Sequence, residues 1–139
     1  MKKAGIIGLL TTIMILATAS TAVACEIDIK PWSNPNAINI NSNGVVPVAI
    51  LTESGFDARW VDQSTIKFAG ANPVRCTFED VDYDGDLDLI CHFNKQDLDL
   101  SSSSTSALLE CYMLPGTPAP YDNNFHFMAW DSVKIVGDN

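Results

Sequence analysis

Val74-Arg75-Cys76-Thr77-Phe78, then Glu79-Asp80-Val81-Asp82-Tyr83-Asp84-Gly85-Asp86, then Leu87-Asp88-Leu89-Ile90-Cys91-His92-Phe93 is the stretch that decides the reading of this chain. Two short runs rich in β-branched, aromatic and aliphatic residues flank an acidic turn with one glycine, which reads as strand, loop, strand. The same pattern continues in both directions. Glu26-Ile27-Asp28-Ile29-Lys30 alternates with period two and stops at Pro31. Ile38 and Ile40 alternate ahead of the turn cluster Asn41-Ser42-Asn43-Gly44. Val45 to Leu51 is a β-branched run, and Pro47 within it calls for an edge position or a bulge. Ser64 to Phe68 ends at Ala69-Gly70, and Ala107 to Met113 is the next strand. Pro115, Gly116, Pro118 and Pro120 then break the chain before Phe125 to Met128 and Ser132 to Val136. Ser101 to Ser106 reads as a solvated loop. Nowhere does an apolar three-and-four spacing run for the roughly ten residues of a capped helix. About eight short strands with turn signals between them predict an all-β fold, a single antiparallel β-sandwich of immunoglobulin-like or related type. The Asp-rich, calcium-type loop lies between two of its strands.

The first residues are set apart from that domain. Met1-Lys2-Lys3 is basic, Ala4 to about Ala17 is apolar, and Ser20-Thr21-Ala22-Val23-Ala24 is small-residue rich, the order of a secretory signal peptide. The apolar run is short of the ~20 residues of a membrane span, so an uncleaved anchor is the weaker reading. The expected division is a signal peptide at 1–24 and one β-sandwich domain at 25–139. Ala22-Val23-Ala24 suits ordinary signal peptidase, whereas Val-Ala-Cys25 also fits a relaxed lipobox, in which case Cys25 carries lipid. The protein is therefore expected to be secreted or at the cell surface, with a lipoprotein anchored at Cys25 as the alternative. The whole chain carries 8 Lys and Arg against 17 Asp and Glu, net −9; loss of Lys2 and Lys3 with the leader takes this to −11. That balance repels phosphate backbones and anionic membrane surfaces and attracts cations. Nucleic acid is excluded as a partner, and membrane contact is confined to the leader or a lipid. Export permits disulfides among Cys25, Cys76, Cys91 and Cys111, with the connectivity open. Without a C-x-x-C spacing, zinc and redox sites have little support.

With Asp80 as position one, carboxylates fall at one, three, five, seven and nine: Asp80, Asp82, Asp84, Asp86 and Asp88, with Gly85 at six. This is the D-x-D-x-D-G opening of an EF-hand-type calcium loop. Calcium takes six to eight oxygens, and a curled loop aims alternate side chains inward. Glycine at six allows the sharp turn, position seven offers its main-chain carbonyl, and Asp88 closes the shell directly or through water. The bidentate Glu of position twelve is missing, since Cys91 stands there, and the flanks are strands. The loop is thus no EF-hand and is similar to the shorter D-x-D-x-D-G-x-x-D loop between strands of integrin-type propeller blades. The missing ligand predicts weak binding, with a dissociation constant of ~10⁻⁴ to 10⁻³ M. Magnesium, which prefers a small octahedral shell and keeps its waters, suits the loop less. Two unit charges 4 Å apart repel by ~1 kcal/mol in water and ~4 kcal/mol at an effective dielectric of 20, so a counter-ion is in demand. The plain alternative is an Asp/Gly turn with its acids in solvent.

Ile27-Asp28-Ile29-Lys30-Pro31, Asn34-Pro35-Asn36, Ile38-Asn39 and Gly44-Val45-Val46-Pro47-Val48-Ala49-Ile50-Leu51 resemble a domain family of secreted bacterial and archaeal proteins. That family begins IDIKPGS.PN.IN and continues G.IPVAIL. Phe56-Asp57, Val61-Asp62, Ser64 to Phe68, Glu79 to Leu89, His92-Phe93 and Asp131 to Val136 follow its later segments. Trp32 and Trp130 stand where the family usually has glycine, and Leu98 to Asn124 matches poorly. The resemblance implies secretion, a β-rich fold and a calcium loop. It implies no reaction.

Other chemistry is sparse. His92 and His126 lie in apolar stretches without a nucleophile motif, and their plain reading is solvent-facing or hydrogen-bonded. Acids this dense beside Gly85 fit ion binding better than a glycosidase pair. No G-x-S-x-G and no phosphate loop occurs, so an enzyme is not expected. Trp32, Trp130 and Tyr83 are candidate exposed aromatics, the two tryptophans at turn-like sites. The first function predicted is therefore a secreted calcium-binding structural or adhesive module. The alternative is an extracellular carbohydrate- or protein-binding module using those aromatics, its partner an extracellular protein or polysaccharide.

Overall fold

Side-chain alternation decides which face of each strand is buried. In β7 (Ser106–Met113), Ala107, Leu109, Cys111 and Met113 are buried, while the residues between them reach solvent. The same period organises β1 (Ile27–Ile29), β2 (Ala37–Asn39), β3 (Val45–Ile50), β4 (Val61–Phe68), β5 (Arg75–Glu79), β6 (Asp88–Asn94), β8 (His126–Ser132) and β9 (Lys134–Val136). The computed structural model describes residues 26–122 and 124–137. The expected leader at 1–24 and the lipidation candidate Cys25 lie outside the described residues.

The strands form a four-stranded sheet in the order β1-β3-β6-β5, a three-stranded sheet β4-β7-β8 and a small pair β2-β9. The two larger sheets are antiparallel throughout. Their four-plus-three order is that of a constant-type immunoglobulin sandwich. Ile29, Val48, Leu89 and Phe93 of one sheet and Phe68, Leu109, Cys111 and Phe127 of the other share one hydrophobic core, consistent with a β-sandwich. Each aliphatic or aromatic side chain buried this way contributes about 1.5–3 kcal/mol. Among the described residues helix is limited to two single 3-10 turns, Ala58–Trp60 and Lys95–Asp97.

Three details differ from the sequence reading. The β2-β9 pair is parallel, which strands from opposite ends of the chain can form because no hairpin joins them. Trp130 is not in a turn: it lies within β8, opposite Leu108, and the break falls at Val133. Pro47 sits in the interior strand β3 with neither an edge position nor a bulge. Its ring nitrogen faces the β1 side, where β1 has just ended at Ile29 and Lys30 donates its N–H to the Pro47 carbonyl at 2.8 Å. The Lys30 carbonyl, which an N–H at Pro47 would face, instead accepts the Ser33 N–H at 3.0 Å and so is not left without a donor.

Candidate metal centre

β5 and β6 pair from Arg75/His92 to Glu79/Asp88, and the acidic segment 80–87 is the connection between them. Cys76 and Cys91 are direct cross-strand partners and form a disulfide that closes a loop of sequence separation 15 around that connection. Cys111 is buried in the core.

The connection folds back over the outer face of the four-stranded sheet. Val81 is buried there with Ala49, Leu51 and Ile90, a small apolar cluster separate from the main core. Asp88, fully buried at 0% exposure, holds this arrangement. Its Oδ1 accepts the Thr52 N–H at 2.8 Å and its Oδ2 accepts the Val81 N–H at 2.9 Å. Thr52 adds a second tie through its hydroxyl, which donates to the Leu87 carbonyl at 2.6 Å. Trp32 adds a third: its indole Nε1 donates to the Val81 carbonyl at 2.9 Å.

The tip is wound by its own carboxylates. Asp80 accepts the N–H of Asp84 on Oδ1 at 3.1 Å and that of Gly85 on Oδ2 at 2.9 Å. Asp84 Oδ1 accepts the Asp86 N–H at 2.9 Å. Gly85 has φ 94°, in the left-handed region where a Cβ is strained, as the turn at position six requires. Space is not the constraint, because a Cβ there meets nothing within 4 Å.

Asp80, Asp82, Asp84 and Asp88 each bring a carboxylate oxygen to within 4.8 Å of the others. Oxygens this close can share one cation, since opposed ligands at calcium–oxygen distances of 2.3–2.6 Å lie about 4.6–5.2 Å apart and those of a smaller ion lie closer. Backbone hydrogen bonds use only part of the roughly four lone-pair sites of each carboxylate, which leaves sites on Asp80 and Asp88 for a cation. The donors are all hard oxygens, which suits calcium or magnesium and not a soft metal. Asp86 contributes no carboxylate to the group; at its position the motif calls only for the main-chain oxygen.

The electrostatics reflect the crowding. Desolvation first, then the Asp88 charge and a hydrogen bond shared with Asp84, raises the Asp82 carboxyl to about 6. Glu53 is also raised, by desolvation, by Glu26 and by the field of Asp84, Asp88 and Asp86. Among the described residues no lysine or arginine is ion-paired with an acid of the loop; Arg59 is paired with Asp57 and feels the Asp86 charge only at longer range.

The candidate aromatics separate. Trp32 (66% exposed) and Tyr83 (79% exposed) belong to the acidic loop and its surroundings, whereas Trp130 stands on the outer face of the other sheet. The roles of Thr52 and Val81 were not read from the sequence, and no local signal marks them: Thr52 is 36 residues from Asp88. His92 is half-buried, and burial together with Arg75 lowers its pKa. His126 is exposed and within 3.3 Å of Glu110.

Comparison with protein-family models, curated proteins and solved structures finds no match.

Proposed function

We propose that this chain is an exported β-sandwich module that binds a calcium ion through Asp80, Asp82, Asp84 and Asp88, with the Asp86 carbonyl in support, and that the ion rigidifies the β5–β6 connection. The observation that carries this is the convergence of four carboxylates within 4.8 Å, unneutralised by any described lysine or arginine. The order of the N-terminal segment and the resemblance to secreted β-rich domains support export and an extracellular structural or adhesive role. The reading assigns no reaction. Calcium that binds only the folded state stabilises it by about 1.4 kcal/mol at ten times its dissociation constant.

Titration of calcium into chelator-treated protein, followed by melting temperature and heat of binding, tests this. A saturable shift at ~10⁻⁴ to 10⁻³ M calcium is expected, and its loss in Asp82→Ala/Asp84→Ala. No binding at millimolar calcium would leave the acids as solvated surface and end the metal reading. The second reading, a carbohydrate- or protein-binding module, draws its support from the exposure of Trp32, Trp130 and Tyr83.

A further inference from the structure

The three-stranded sheet has one buried face and one uncovered face. The uncovered face carries three cross-strand rows: Leu108 opposite Trp130, Lys67 opposite Glu110 opposite Met128, and Asp62 opposite Tyr112 opposite His126. Trp130 is 58% exposed, Tyr112 43% and Met128 40%, although their strand neighbours Phe127, Ala129 and Cys111 are buried. The rings of Tyr112 and His126 stack with centroids 4.8 Å apart and planes 12° from parallel. His126 Nε2 lies 3.3 Å from Glu110 Oε2. Thr65, Lys67, Glu110, Cys111, Tyr112 and His126 line a cleft of about 200 Å³.

We infer that this face is a binding site for a neutral oligosaccharide, with the cleft holding one sugar and Trp130 supporting a neighbouring one along β8. The chemistry of the rows carries the assignment. A sugar ring has apolar C–H faces and a rim of hydroxyls, and a site for it needs aromatic surface with a few aimed polar groups. Tyr112, His126 and Trp130 supply the aromatic surface. Glu110 offers carboxylate lone pairs to hydroxyl donors, and Lys67, which spends one proton on Asn72 Oδ1 at 2.8 Å, keeps two for hydroxyl acceptors. Trp130 lies four positions beyond His126, about 13 Å along an extended strand, so the occupant is a chain of linked rings rather than one monosaccharide.

The other occupants fit less well. The charged groups of the face are Asp62, Lys67, Glu110 and His126, few and of mixed sign, so it complements neither a polyanion nor a polycation. The cores of protein–protein interfaces are depleted in lysine and glutamate, yet Lys67 and Glu110 share the middle row here. The site is independent of the metal reading, because the acidic loop belongs to the other sheet.

Affinity electrophoresis of the protein through gels containing arabinoxylan, mixed-linkage β-glucan, galactomannan, dextran or polygalacturonate tests the assignment. Retardation by at least one neutral glycan is expected, unchanged by chelator. Trp130→Ala and Glu110→Gln are each expected to weaken it roughly tenfold, the effect of one aromatic contact or one charge-assisted hydrogen bond. Val74→Ala, an exposed change beside the other sheet, is expected to leave it intact. Melting curves accompany each variant, and Glu110→Gln, which preserves shape, serves if Trp130→Ala lowers stability. The assignment fails if no neutral glycan retards the protein, if only polygalacturonate does, or if retardation survives both substitutions. It fails equally if chelator abolishes retardation, or if the face instead mediates a concentration-dependent dimer that Trp130→Ala dissociates.

Discussion

At the scale of single residues, the acids of the loop divide into two kinds. Asp88 is buried and accepts two backbone N–H groups from outside the loop tip, whereas Asp82 is exposed and hydrogen-bonds only with its loop neighbour Asp84. Asp88→Ala leaves the amides of Thr52 and Val81 without partners, at about 1–3 kcal/mol each. Metal-free Asp88→Ala is therefore expected to lose at least 2 kcal/mol, roughly, in a denaturant melt. Asp82→Ala stays within about 0.5 kcal/mol of the parent, as exposed changes usually do. Equal losses would show that Asp88 does not organise the loop. Trp32 supplies a reporter. It holds φ 72°, a conformation easy for glycine and strained for tryptophan, and its indole is bonded to the loop at Val81. Calcium is expected to change the tryptophan emission, with the change lost in Trp32→Phe; emission indifferent to saturating calcium would disconnect Trp32 from the loop. The turn-like position of Trp32 was legible beside Pro31. Its bond to Val81, 49 residues away, was not, because nothing local encodes a contact across a sheet.

At the scale of elements, β5 is the exposed member. It is an edge strand, and only Cys76 among its residues is even half-buried. Charged Arg75 and Glu79 at its ends discourage pairing with another chain. What fastens it, besides the ladder to β6, is the Cys76–Cys91 bond. A closed loop of this size, sequence separation 15, restricts the unfolded chain by about 3 kcal/mol. Cys76→Ala/Cys91→Ala is expected to lose about 2–4 kcal/mol. Hydrogen exchange should quicken most at Arg75–Glu79 and least in β3. Uniform quickening would mean that β5 does not open on its own. The hairpin was legible because β-rich runs flank an Asp/Gly turn. The pairing of its cysteines was not, since spacing alone allows several partners and only the register sets Cys76 opposite Cys91.

At the scale of the whole molecule, Asp131 fastens the two sheets along one side: its Oδ2 accepts the N–H of Ile29 at 2.9 Å and the Asn36 amide at 3.0 Å. Asp28 sits near that seam, and desolvation, then the Asp131 charge, raises its pKa. A carboxyl raised on folding contributes stability that is complete below its unfolded pKa, near 3.9, and is lost as pH rises through the folded value. Asp28→Asn removes that loss. Its melting temperature is expected to exceed the parent's at pH 7, by less than about 1 kcal/mol in stability after solvent screening, with the gap closing toward pH 3. A lower melting temperature at pH 7 would mean that the Asp28 carboxylate makes a favourable contact.

By itself the sequence determined that the domain is all-β, where most strands run and which five aspartates form a motif. These depend on period-two burial, on glycine and proline as breakers and on ligand spacing, all local properties of the chain. Tertiary structure decided that four of those carboxylates converge, that Asp88 is a buried brace, that Trp130 lies in a strand and that Tyr112 faces His126. Each of these depends on which strands pair and in what register, and a register brings together residues from distant parts of the chain that no local pattern relates.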